Sequence, residues 1–205
     1  MTPRPPRRGL RALLAGALAC GAVLGLSACG GDEWAQEVQS NPGDGLSGAD
    51  GSWEVFPPDG RGEPIAFSGP TADGGAFDSA EHAGEVVVVN FWYAACPPCR
   101  TEAADLQAAW QAHRAEGVQF VGVNIYDRAP TVASFEESFG IDYPSILDVD
   151  AAAVRLAFAD SVSPQAIPTT LVLDRQGRVA GLIRGPVPPA TLEAMIGEAL
   201  AEPRP

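Results

Sequence analysis

The sequence predicts an α/β domain of three layers, with strands lying between helices. Three observations carry this. Val86-Val87-Val88-Val89-Asn90-Phe91 is apolar on both faces, as a central strand covered from both sides must be. Apolar residues recur at helical spacing after Pro97 and again after Pro188-Pro189. Thr169–Asp174 and Val179–Ile183 flank Arg175-Gln176-Gly177, the pattern of a hairpin.

The elements follow in order. An extended section from Trp53 to about Phe77 carries turn signals at Pro57-Pro58-Asp59-Gly60 and Asp73-Gly74-Gly75. After the Val86–Phe91 strand, a helix is expected from Pro97 to about Arg114, with Ala103, Leu106, Trp110 and His113 along one stripe. Val118–Ile125 reads as a strand, and Thr131–Phe139 and Ala151–Ala159 as helices around an extended Tyr143–Asp148. The last helix presents Leu192, Met195, Ile196, Ala199 and Leu200 on one side.

Cys96-Pro97-Pro98-Cys99 sits at the junction of the central strand and its helix. A sulfur at a helix start meets unpaired N–H groups and the positive end of the dipole, which favour the thiolate. The thiolate attacks a disulfide, and a second sulfur two residues on can resolve the mixed disulfide. Prolines suit the first helical turn, whose N–H groups make no intrahelical bonds. On this reading Cys96 is the more exposed thiol and Cys99 the shielded one. A structural zinc site needs four ligands, and this chain has no second pair; His82 and His113 stand alone. Haem attachment requires His after the second Cys, where Arg100 stands. No metal and no cofactor is expected.

The N-terminus reads as a processing signal. Arg4, Arg7, Arg8 and Arg11 precede an apolar run from Ala12 to Leu26, which is too short to span a bilayer. Leu26-Ser27-Ala28-Cys29 closes it and resembles the bacterial lipoprotein box. That resemblance implies cleavage after residue 28, lipid on Cys29 and loss of Cys20. Residues 29–52 are rich in Gly, Asp and Ser and read as a tether reaching about 25–30 Å, with Trp34 out of character. One domain, 53–205, follows. Its redox pair is then the only cysteine pair, so the fold rests on its core rather than on structural disulfides.

Removing residues 1–28 takes four arginines and no acid, so the net charge moves from −13 to −17. Such acidity argues against nucleic acid as a partner. The chain has no lysine, which excludes Schiff-base chemistry and a Walker-type phosphate loop.

Asn90-Phe91-Trp92, Cys96-Pro97-Pro98-Cys99-Arg100 and Ile167-Pro168-Thr169-Thr170 together resemble the extracytoplasmic thioredoxin-fold proteins of the TlpA/ResA type. The resemblance covers roughly residues 53–200. It implies a thioredoxin-like fold with an N-terminal extended or hairpin addition and a central insertion around 126–160. It also implies a membrane-tethered thiol–disulfide oxidoreductase facing outward, reducing protein disulfides, apocytochrome c among them, and re-reduced by a membrane thiol relay. Carried over, Cys96 attacks, Cys99 resolves, and the two form the redox disulfide. Pro168 is the cis-proline, and the Ile167 backbone meets the substrate; Trp92 reads first as core and second as a residue beside the substrate. Glu102, three residues after Cys99, is the family's acid and would move a proton at the resolving thiol. Asn90 stands where cytoplasmic thioredoxins carry a buried Asp. Ala95 departs from the family, which places Trp directly before the first Cys.

Two other classes are weighed against this one. Peroxide-reducing redoxins carry Thr three residues before the reactive Cys, where this chain has Tyr93. A copper chaperone resembles a family using Cys-x-x-x-Cys with a downstream His, and here the spacing differs and only His113 follows.

Overall fold

The computed structural model describes residues 46–161 and 166–204. The signal segment, Cys20, Cys29 and Trp34 lie outside the described residues. The main sheet contains β1 (Leu46–Ser47), β2 (Trp53–Val55), β5 (Val86–Trp92), β6 (Val118–Asn124), β7 (Ser145–Leu147), β8 (Thr169–Leu173) and β9 (Val179–Arg184). Their spatial order is β1-β2-β9-β8-β5-β6-β7. β5, β6 and β7 run parallel, and every pair from β5 across to β1 is antiparallel. β3 (Ser68–Pro70) and β4 (Ala76–Asp78) form a separate hairpin, the N-terminal addition. The helices are α1 (Pro97–His113), α2 (Ala129–Phe139), α3 (Ala153–Ala157) and α4 (Pro189–Ala201).

All seven residues of β5 are buried, as its two-faced apolar pattern requires. Val86, Val88, Phe120, Val172 and Ile183 face one core with Leu106 and Ala109 of α1 and Leu192, Met195, Ile196 and Ala199 of α4. A Cβ on Gly181 would stand 2.7 Å from the Met195 sulfur, so glycine lets α4 press onto β9. The opposite face, Val87, Val89, Phe91, Val121, Val123, Leu171 and Leu182, packs on Phe67, Phe77, Val154 and Phe158. Helices were expected on both faces. Here the second layer is the β3–β4 hairpin with the one-turn α3, so a strand pair does part of a helix's work. In α1 the buried stripe is Cys99, Glu102, Ala103, Leu106 and Ala109. His113, expected on the stripe, instead lies between Glu116 and Glu193.

Three boundaries differ from expectation for local reasons. The Ala151–Ala159 helix is shortened to α3. The buried Asp148 carboxylate accepts the Val154 and Arg155 N–H groups, and Ala152 at φ 53° forms a left-handed entry. α2 starts two residues before Thr131 because Pro130 fits its first turn, and Gly140 at φ 68° ends it. The sheet begins at Leu46, inside the stretch read as tether, where Leu46 pairs with Val55 and Ser47 with Glu54. The Asp50 carboxylate accepts the Ser52 N–H and closes that turn.

Candidate active site

Strand β5 delivers Asn90 and Trp92 inward, and the chain then turns through Tyr93–Ala95 into α1. The turn is fixed by its own bonds. Cys96 N donates to the Tyr93 carbonyl at 3.2 Å, and Ala94 N donates to Asp127 Oδ2 at 2.6 Å. Cys96 is the N-cap of α1, with Pro97 and Pro98 in the first turn. Cys96 and Cys99 are joined as a disulfide with Cα atoms 5.3 Å apart. Cys96 Sγ accepts the Cys99 N–H at 3.2 Å, so the sulfur occupies the place of a capping oxygen. Electron density developing on Cys96 during exchange is therefore met by a fixed N–H and the helix dipole.

The expected difference in exposure is absent in this oxidised state. Cys96 is 1% and Cys99 3% exposed. Both sulfurs pack with Trp92, Ala103, Val132 and Phe135, and Ala94, Tyr93 and Ile167 close over the cluster. What distinguishes Cys96 is its helix-start amide, not its access to solvent.

The Ile167–Pro168 peptide bond is cis, as the sequence led one to expect. It precedes β8, which pairs with β5 so that Thr169 lies opposite Phe91 and Thr170 opposite Asn90. The Pro168 carbonyl accepts the Gly185 N–H at 2.9 Å. Ile167 packs partly buried against the cysteine cluster. Trp92, for which the sequence offered a core role and a place beside the substrate, is a core residue: it is 4% exposed and tilts against Phe135 at 4.3 Å between ring centroids.

Glu102 is buried, with 1% of its surface exposed. One carboxylate oxygen accepts from Asn90 Nδ2 and the other from Val187 N, each at 2.9 Å. Burial pushes its pKa up to about 7, against the pull of those two hydrogen bonds, with Asp105 adding a small push. The carboxyl is thus a group that changes protonation near neutral pH one turn below Cys99. Its two bonds lead to β5 and to the loop before α4, not to sulfur. Asn90 Nδ2 also donates to Thr170 Oγ1 at 2.9 Å. Thr170 and the Val187 N–H are partners that the sequence reading missed. Thr170 adjoins the Ile-Pro-Thr motif, but only the strand register brings it to Asn90.

Two further features frame the site. The Arg100 guanidinium lies 5.0 Å from the Phe139 ring centroid and 6.0 Å from that of Phe135, held beside the cysteine turn. A cavity of 10 Å³, about the room one water needs, adjoins Cys99, Asn90, Tyr143 and Ser145. A larger groove of 760 Å³ between Glu54, Phe56, Arg61, Ile65 and Arg184 includes none of the site residues expected from the sequence.

A Cys-x-x-Cys disulfide at the head of a helix, on a sheet whose neighbouring strand follows a cis-proline, defines a thioredoxin-like redox protein. The chain belongs to the Redoxin family, whose model matches residues 58–196. It is 31% identical over 102 residues to the thiol-disulfide oxidoreductase ResA of Bacillus subtilis, covering 50% of this chain and 54% of that protein. The chain thus spans about half the length of the curated relatives it matches. Among solved structures, a thiol:disulfide interchange protein from Chlorobium tepidum is 32% identical with a TM-score of 0.63, over 69% of this chain and 97% of that one. A secreted thiol-disulfide isomerase from Corynebacterium glutamicum is 27% identical with a TM-score of 0.66, over 78% and 100% of the respective chains.

Proposed function

We propose that this protein is an outward-facing thiol–disulfide oxidoreductase that reduces protein disulfides, anchored to the membrane by lipid on Cys29. The observation that carries the exchange chemistry is the Cys96–Cys99 disulfide with Cys96 Sγ as the cap of α1. The reduced enzyme starts with a Cys96 thiolate. It attacks one sulfur of the substrate disulfide, forming a Cys96–substrate bond and expelling the other sulfur as a thiolate. The Cys99 thiolate then attacks Cys96 Sγ, expels the second substrate sulfur, and closes the Cys96–Cys99 disulfide. Two electrons pass to the substrate, and Glu102 takes up the proton that Cys99 loses. The Ile167 backbone, beside Pro168, positions the substrate strand. A membrane dithiol relay returns the two electrons. Apocytochrome c is the substrate that the family resemblance brings into view.

The test is reduction of insulin disulfides by the dithiothreitol-reduced protein, followed by turbidity. Wild type is expected to accelerate precipitation and Cys96→Ser to match the dithiothreitol blank. Equal rates for wild type and blank would reject the reading.

A further inference from the structure

Tyr126 is one of only two large apolar side chains among the described residues that stand mostly in solvent, at 74% exposure. The other, Leu156, lies on α3. Tyr126 does not stand alone. Its ring centroid is 5.9 Å from that of Tyr93, whose carbonyl accepts the Cys96 N–H. The two rings therefore form an aromatic ledge on the turn that carries the attacking sulfur, with the small, exposed Ala95 beside it.

The ledge is held rigidly. Asn124 Oδ1 accepts the N–H groups of Tyr126 at 3.1 Å and Asp127 at 2.7 Å. Asp127 Oδ2 in turn accepts from Asn124 Nδ2 at 3.0 Å and from Ala94 N at 2.6 Å. These four bonds tie the loop after β6 to the cysteine turn, so Tyr126 is exposed without its backbone being free. A pre-ordered tyrosine loses little conformational entropy when a partner covers it, which is why tyrosines anchor interfaces.

We infer that Tyr93 and Tyr126 form a recognition ledge for the polypeptide flanking the target disulfide, taking an apolar or aromatic residue next to the cysteine that Cys96 attacks. The occupant follows from continuity with the sulfur: Tyr93 packs against the cysteine cluster and Tyr126 against Tyr93, so the ledge adjoins the sulfur to which a substrate chain would be bonded. The inference rests on the protein-disulfide reading above.

Two synthetic peptides with the same intramolecular disulfide, one with Phe and one with Ser beside the target Cys, test it. Wild type is expected to reduce the Phe peptide with kcat/KM about five- to tenfold higher, mostly through KM. Tyr126→Ala should bring the two peptides to within about twofold, and Tyr126→Phe should keep the preference. The small aliphatic disulfide 2-hydroxyethyl disulfide carries no ring or apolar side chain for the ledge, so its rate should be the same for all three proteins. Equal wild-type rates on both peptides, or a preference that survives Tyr126→Ala, would overturn the ledge. So would an equal loss on peptides and small disulfide, since the ring would then act on Cys96 itself. A wild type active on the small disulfide but on neither peptide would reject the protein-disulfide reading instead.

Discussion

Asn90 Nδ2 donates to Glu102 Oε1 at 2.9 Å and so ties the central strand to the acid one turn below Cys99. The same nitrogen donates to Thr170 Oγ1, two residues after the cis-proline. One amide thus holds the carboxyl in place from the strand that precedes the thiols and the strand that follows Pro168. The arrangement leaves Glu102 buried but with both oxygens satisfied, which keeps its pKa near 7 instead of higher.

Glu102→Gln is expected to remove an inflection near pH 7 from the pH–rate profile of disulfide reduction. The rate at neutral pH should fall by about a hundredfold, the low end of general acid–base effects. Asn90→Ala removes a bond that favours the carboxylate and should move the same inflection to higher pH. Stopped-flow reduction of a peptide disulfide between pH 5 and 9 reads both. An unchanged profile in Glu102→Gln would return that residue to a purely structural role.

The same shift sets a stability trend. The unfolded carboxyl titrates near 4.5 and the folded one near 7, so between these values the folded state holds the extra proton. Its contribution is present below pH 4.5 and is lost as pH rises through 7, about 3 kcal/mol across the window. Urea unfolding of wild type and Glu102→Gln at pH 4.5 and 8 should show that the pH-dependent difference between them has this sign. A stability of wild type minus that of Glu102→Gln that stays constant or rises between pH 4.5 and 8 would contradict it.

His113 gives a smaller trend of similar sign by another route. Burial opposes the charged ring, but bonds to Glu193 at 2.6 Å and Glu116 at 2.7 Å outweigh it, and the pKa is raised. A raised histidine contributes stability below its unfolded pKa and loses it as pH rises through the folded value. Because the cluster meets solvent, the effect is limited to about 1 kcal/mol and shrinks with salt. His113→Ala should therefore be destabilised at pH 5.5 in low salt and approach wild type at pH 9. Equal destabilisation at both pH values would show that packing, not charge, is what His113 supplies.

How far the sequence could be read depends on the distance over which each feature is determined. β5, the Cys-Pro-Pro-Cys helix start and the β8–β9 hairpin are local patterns, and they lie where the sequence placed them. Glu102 was legible as an acid at the right offset. Its burial was not, because Asn90 and Val187 reach it from two other parts of the chain, and Thr170 holds Asn90 from a third. The sequence made Cys96 the more exposed thiol because the helix end alone carries that pattern, without Ile167 arriving ahead of the neighbouring strand β8. The short α3 reflects a single carboxylate, Asp148, whose capping role depends on the fold around it.

Cys29→Ser is expected to release the protein from membranes without loss of insulin reductase activity. Several acyl chains on one residue hold a protein stably where a single chain does not. Fractionation after expression in a bacterium with lipoprotein processing reads the outcome. A processed variant that stays with the membrane would refute lipidation at Cys29.

The order of the sulfurs is the sharpest test of the mechanism. Cys96 has the cap amide, whereas Cys99 lies nearly a turn deeper and acts only once a mixed disulfide exists. Cys99→Ser should therefore leave a reactive Cys96 that captures substrates and cannot release them. Cys96→Ser should capture none. Non-reducing gels of both variants from cells, with adducts identified by mass spectrometry, distinguish the roles. Thiol-sensitive adducts on Cys99→Ser, formed with extracytoplasmic proteins that contain cysteine pairs, are the expected result. Adducts on Cys96→Ser alone would invert the assignment, and would mean that the cap amide shields Cys96 more than it activates it.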